Sequence, residues 1–259
     1  MTKAVWMTSV VSSEDPLRKI ASTLPAYGLK VKGHFWEDDL EKMAWVAARG
    51  ELIEPSTALW LILASGERLS VPSIRYGLSL LAIAVQARRG LSFPVVLLLT
   101  DGVQVSPETL PTPLKGCDVF SLSDPGLGAK LVAKAHTPAG AIGSEYRLDA
   151  YGDPQIGQWF EVGPRMDAWS GAIFGVSGGE IAFHGVGPMG SLPSRSVLNF
   201  PSKGMKLTLG EREYVAWAVR NDLDPRTSYF IKVTGFPDSI LFGPFPSGEM
   251  ADVHVVTLK

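Results

Sequence analysis

From the start of the chain to about residue 137, apolar runs of strand length alternate with segments of helical period. AVWMTSVV (4–11) and LKVKGHFW (29–36) read as strands, the second alternating as a strand with one exposed side. ALWLILA (58–64) and FPVVLLLT (93–100) are apolar at nearly every position, as parallel strands covered on both faces are, and belong at the centre of a sheet. CDVFSLS (117–123) is a fifth, shorter strand. Helices are expected over 16–24, over 40–53, and over 73–88 with Gly90 as its stop; in the second, Leu40, Met43, Trp45, Val46 and Leu52 recur at roughly helical spacing. Asp124-Pro125 reads as a cap followed by proline at the first helical position, opening a last helix in GLGAKLVAKAH. Strand and helix in alternation predict an open, doubly wound α/β sheet.

After Pro138 the helical period is lost. Glycine rises from 10 in residues 1–137 to 17 in residues 138–259. Nine short strand-like pieces follow: EYRLDAY, QWFEV, GAIFGV, EIAFHGV, MKLTL, EYVAWAV, SYFIKVTG, ILFGPF and ADVHVVTL. Turn-forming groups such as Gly152-Asp153-Pro154, Gly178-Gly179 and Phe236-Pro237-Asp238 separate them, which predicts a mainly antiparallel β-sandwich. The small, proline-containing stretch AHTPAGAIG reads as a linker, so two domains are expected, 1–137 and 138–259.

Composition narrows the class without naming a function. Hydrophobic residues are 46% and charged residues 19% of 259, which suits packed domains rather than disorder. A net charge of −2 gives no general pull toward nucleic acid or an anionic membrane. No apolar run reaches membrane-helix length, the longest stopping at Arg88-Arg89, and MTKAVWMTSVV reads as a strand rather than a signal peptide. With one cysteine, Cys117, there is no internal disulfide and no cysteine-rich zinc site. A cytoplasmic protein is the expectation.

Several residues in the first half carry a family resemblance. The first strand ends in VVSSEDPLRKI, a polar loop with Ser12, Ser13, Glu14 and Asp15 before a helix. The second ends in HFWEDDLEKM, an aromatic, Trp36, followed by acids. The third ends at Ser65, and SVPSIRY (70–76) follows. In this order of elements, residues 3–136 resemble a Toll/interleukin-1 receptor (TIR) domain, a flavodoxin-like fold with a five-stranded parallel sheet. The resemblance implies a ligand site from Ser9, Ser12, Ser13, Trp36, Ser65, Arg75 and Tyr76, with NAD or a related nucleotide as its ligand. In NAD-cleaving members the catalytic acid is a glutamate on the helix after the third strand. By the family's spacing that position is Tyr76, with Gly77 beside it, and neither has a carboxylate to support an oxocarbenium-like centre. Glu67, nine residues earlier, is the nearby acid that could act if its loop folded inward.

Other constellations favour structural roles. Glu37, Asp38, Asp39 and Glu41 offer oxygen ligands, yet they sit where a helix cap and its first turn belong. The GLG of the last helix lacks the third glycine of a dinucleotide fingerprint. His34, His136, His184 and His254 lack metal-ligand spacing. The second-half aromatics Tyr146, Tyr151, Trp159, Phe160, Trp169, Phe174, Phe183, Tyr214, Trp217, Tyr229 and Phe230 suit either a sandwich core or a sugar or peptide groove, and alternation in EYVAWAV favours the core. No cofactor fingerprint is complete. The sequence therefore points to a non-catalytic interaction or signalling protein, with a TIR-like assembly or ligand-binding domain and a β-rich partner-binding domain. A protein partner or self-association is expected. The alternatives are an NAD-cleaving prokaryotic defence effector with a displaced acid, and a nucleotide-binding module without turnover.

Overall fold

The structure, a computed structural model, describes residues 3–137, 140, 142–195, 197–246 and 252–259. The chain divides into two compact units, Met1–Ile142 and Gly143–Lys259. The linker expected near Pro138 includes residues outside the described set.

The first unit contains strands β1 (Ala4–Ser9), β2 (Lys30–Phe35), β3 (Thr57–Ala64), β4 (Val95–Leu99) and β5 (Asp118–Ser121). All pair in parallel in the order β2-β1-β3-β4-β5, the strand order of flavodoxin-like folds. The apolar runs fall as their pattern predicts. β3 is central, β4 is paired on both sides, and every residue of β4 is buried. One face of the sheet packs Val5, Met7, Leu59, Leu61, Leu63, Val96 and Leu98. Helices α1 (Asp15–Thr23) and α5 (Leu127–His136) cover that face through Ile20, Leu127, Leu131 and Ala135.

On the other face, Trp6 lies opposite Trp60, and the Trp60 indole N–H donates to Thr8 Oγ1 at 2.9 Å. Helix α2 (Arg49–Ile53), the single turn α3 (Gly66–Leu69) and the long α4 (Pro72–Arg89) complete the unit. α4 is buried along nearly its whole middle, from Ile74 to Val85, as a helix apolar on all sides must be.

Two local expectations are corrected. The helix foreseen over 40–53 is a turn, a 3₁₀ segment (Ala44–Ala48) and the short α2. Asp39 Oδ1 accepts the Lys42 N–H at 3.0 Å, and Met43 turns left-handed at φ 54°, which interrupts the helical path. Trp45 and Leu52 are nonetheless buried. The last helix begins at Leu127 after Gly126 at φ 69°, not on an Asp124 cap. The Asp124 carboxylate instead pairs with Lys130 at 3.1 Å.

The second unit is antiparallel and all nine expected strands form. They are β6 (Tyr146–Asp153), β7 (Gly157–Pro164), β8 (Ala172–Ser177), β9 (Glu180–Pro188), β10 (Ser202–Leu209), β11 (Arg212–Val219), β12 (Thr227–Thr234), β13 (Ser239–Pro244) and β14 (His254–Thr257). One sheet runs β10-β11-β8-β13-β14 and the other β6-β7-β12-β9. Their inner faces meet in a sandwich. Phe160 of β7 lies 5.6 Å from Phe174 of β8, and His184 of β9 lies edge-to-face on Trp217 of β11 at 4.7 Å. Tyr214, Ala216 and Ala218 take the opposite face of β11 from Trp217. There Ile173, Ala216 and Ala218 form a second small core with Met205, Leu207, Phe245 and Val253.

Candidate functional site

The carboxyl ends of β1 and β2 and the turn after β3 border an open pocket of about 370 Å³. Its lining is Ser9 at the end of β1, Val10, Val11, Ser12 and Glu14 from the loop after it, Phe35 and Trp36 from the end of β2, and Arg68 from α3. Such loops are where an open parallel sheet gathers ligands. Sheet bonds fix the walls: Val10 N–H donates to Leu63 O at 2.9 Å and Trp36 N–H to Ser9 O at 2.8 Å. Buried Ser9 turns its hydroxyl onto Val11 O at 2.8 Å and holds the loop.

Arg68 reaches back across the sheet. Its Nε donates to Val10 O at 3.0 Å, which leaves the two terminal amino groups unbonded to described residues. Ser65 Oγ accepts the Arg68 N–H at 3.2 Å and caps the turn that aims it. Trp36 stands beside His34, which stands beside Trp6, at ring separations of 6.4 and 5.6 Å. The ring of Trp36 occupies the space over Gly77 of α4, where a Cβ would come within 2.6 Å of Cζ2. Burial lowers the pKa of His34, so its imidazole is neutral near pH 7.

Of the residues foreseen from sequence, Ser9, Ser12 and Trp36 line this pocket. Ser13 is exposed on the same loop but is not in the lining. Ser65 lies behind the pocket as a cap, as above. Arg75 leaves it, donating to Thr109 O at 2.6 Å and Leu69 O at 3.4 Å. Tyr76, 0% exposed, belongs to the core. Glu67 is exposed and outside the lining. Sequence reasoning left out Phe35, Val10 and Val11, had Glu14 only as a loop residue, and had Arg68 only on a binding or assembly surface with Arg75 and Tyr76. Glu14 is the one carboxylate among the lining residues, and it pairs with Arg18 at 2.7 Å on the surface.

The remaining candidates take structural parts. Asp38 accepts the Ser73 hydroxyl at 2.8 Å, and hydrogen bonds from Lys42 hold the Asp39 carboxyl below its usual range. No group of three or more metal-ligating side chains occurs among the described residues. Burial pushes the Cys117 thiol up to about 12, with Asp118 adding to it, so the thiolate that would be reactive is scarce. No helix among the described residues is long and apolar enough to cross a membrane.

The second unit holds a buried polar cluster on the outer face of its four-stranded sheet. Glu161, 3% exposed, accepts Ser228 Oγ at 2.6 Å, Gly190 N–H at 2.9 Å and the Tyr151 hydroxyl, with Arg147 at 3.5 Å. Arg147 also donates to Thr227 O at 2.7 Å and Pro164 O at 2.9 Å. This carboxylate is fully engaged and fastens the loop after β9 to the sheet.

No protein-family model matches the chain, and no curated protein matches it. Among solved structures the chain is similar to the crystal structure of FixJ-N, at 16% identity. The match covers 54% of this chain and 99% of that one, with a TM-score of 0.33. The assignment of the first unit as flavodoxin-like rests on its own strand order, β2-β1-β3-β4-β5, and the second unit is a β-sandwich.

Proposed function

We propose that the protein is a binding and assembly module, in which a TIR-like first unit holds a nucleotide-type ligand without cleaving it and the second unit recognises a partner. The observation that carries this reading is the make-up of the pocket. The Ser12 hydroxyl, an aromatic wall and the free end of Arg68 can stack a base or ribose and receive an anionic group. The position where the family keeps its acid is Tyr76, sealed in the core. The test is to incubate the purified chain with NAD and follow nicotinamide release, with thermal shift against NAD and ADP-ribose in parallel. A raised melting temperature without nicotinamide is the expected result, and Arg68→Ala should abolish the shift.

A second reading, NAD cleavage by a displaced acid, draws on Glu14, whose carboxylate lines the pocket. Nicotinamide release that disappears in Glu14→Gln, with the fold intact, would overturn the binding-only reading. Loss in Glu67→Gln instead would require the exposed loop to close over the ligand.

A further inference from the structure

On the outer face of the four-stranded sheet, register places Tyr151 opposite Trp159, Trp159 opposite Lys232, and Lys232 opposite Phe183. One side chain from each strand thus forms a row across the whole sheet, about 14 Å long at the usual strand spacing. The Trp159 indole N–H donates to Ile156 O at 3.0 Å, which fixes its ring before any ligand arrives. Phe183, 43% exposed, meets that ring at 5.8 Å and 67°, so the two rings make a floor and a wall. Lys232 Nζ lies 6.0 Å from the Trp159 ring centre, and its stem passes 3.0 Å from where a side chain on Gly157 would begin. Among the described residues no carboxylate pairs with it. Glu161, on the same face, is taken by the four donors described above.

We propose that this row is a binding site for a carbohydrate whose pyranose rings carry carboxylates, a uronic-acid oligomer. Each feature selects for that chemistry. A sugar ring presents a flat C–H face to an immobilised indole, and its carboxylate supplies the counter-charge that Lys232 lacks. A purely apolar partner would bury the ammonium unpaired, which is costly. A nucleic acid would call for several cations, and this row has one. An added peptide strand docks on an open sheet edge, where backbone groups are unpaired, whereas this row crosses the middle of a face. The inference rests on the second unit being a recognition module and is independent of the pocket in the first, so its failure and that of the nucleotide reading are separable.

The experiment is calorimetric titration of the full chain with four probes: oligogalacturonate, an oligomer of glucuronate, neutral maltohexaose and polyglutamate. The expected result is binding of a uronate oligomer, the two acidic sugars distinguishing the source of the carboxylate. Lys232→Met should weaken it about tenfold or more, a loss matching one charge-assisted contact. Trp159→Ala should abolish it, and Phe183→Ala, at an exposed position, keeps the test decisive if Trp159→Ala fails to fold. The proposal is overturned if neither uronate binds at millimolar concentration, if maltohexaose binds equally well, if only polyglutamate binds, or if Lys232→Met and Phe183→Ala both leave binding unchanged.

Discussion

His184 gives the stability of the second unit a defined pH dependence. The side chain is 2% exposed, its Nδ1 lies 2.7 Å from the Tyr229 hydroxyl, and its ring rests on Trp217. Burial lowers its pKa from the ordinary 6.5 to about 4, and the Lys203 ammonium, held 4.4 Å over the Trp217 ring, adds to the effect. A folded pKa below the unfolded one means that the unfolded chain binds the proton first. Stability from neutral His184 is therefore complete above about pH 6.5 and is lost as pH falls from there toward 4. A drop of about 2.5 pH units at 1.36 kcal/mol each makes the loss about 3 kcal/mol. Urea unfolding at a series of pH values between 7.5 and 4 measures it, followed by the tryptophan signal of the second unit. His184→Phe keeps an apolar ring but cannot take up a proton. Leaving the Tyr229 hydroxyl without its partner costs this variant about 1–3 kcal/mol at every pH. The comparison is accordingly of slopes and not of levels. Wild type should lose about 3 kcal/mol more than the variant across the window. Parallel curves would refute the argument, because they would mean that His184 accepts its proton in the folded state as readily as in water.

Two further outcomes concern the first unit. Trp60→Ala should cost about 3–5 kcal/mol in urea unfolding, since the ring is 0% exposed and its N–H satisfies Thr8; an unchanged melting curve would mean that the core lies elsewhere. Gly77→Ala sets a helix-propensity gain of about 1 kcal/mol against overpacking of about 1–3 kcal/mol. The obstacle is a rigid ring atom at 2.6 Å with Leu40 close behind, so overpacking wins; the variant should be destabilised by about 1 kcal/mol. It should also lose any ligand-induced thermal shift, because Trp36 is a wall of the pocket, and a Gly77→Ala protein more stable than wild type would overturn this packing.

The first unit was legible where chemistry and local pattern coincide. Continuous apolar runs identified the inner strands, and the loops that follow β1 and β2 delivered Ser9, Ser12 and Trp36 to one pocket. The helix after β3 was legible as a helix but not in its facing. SIRYGLSLLAIAVQAR is apolar on every side, so periodicity could not say whether Tyr76 looks toward the pocket or into the core. The aim of Arg68 was hidden for another reason. Its reach to Val10 depends on α3 being a single turn capped by Ser65, and no spacing rule foretells where such a turn aims a long side chain.

In the second unit the nine strands could be read, but the surface they make could not, and the reason lies in one irregularity. In EIAFHGV strict alternation would put Ile181 and Phe183 on the same face. The ladder between β12 and β9 slips after Lys232: Lys232 faces Phe183, while Val233 faces Ile181 and Ala182 is passed over. A bulge of this kind reverses the facing of everything beyond it. Ile181, 8% exposed, is thereby turned into the core with Val233, while Phe183 stays outside beside Trp159. The two residues are alike in hydrophobicity, and nothing in their spacing separates them. Only the paired register of four strands drawn from residues 146–234 assigns one to packing and the other to the exposed row. A deletion of Ala182 would therefore test the bulge directly. With that residue gone, plain alternation keeps Phe183 opposite Lys232 and Ile181 opposite Val233, so Ile181 should stay in the core and the edge-to-face ring pair should survive in the variant's crystal structure, and finding Ile181 on the face of Phe183 would refute this register.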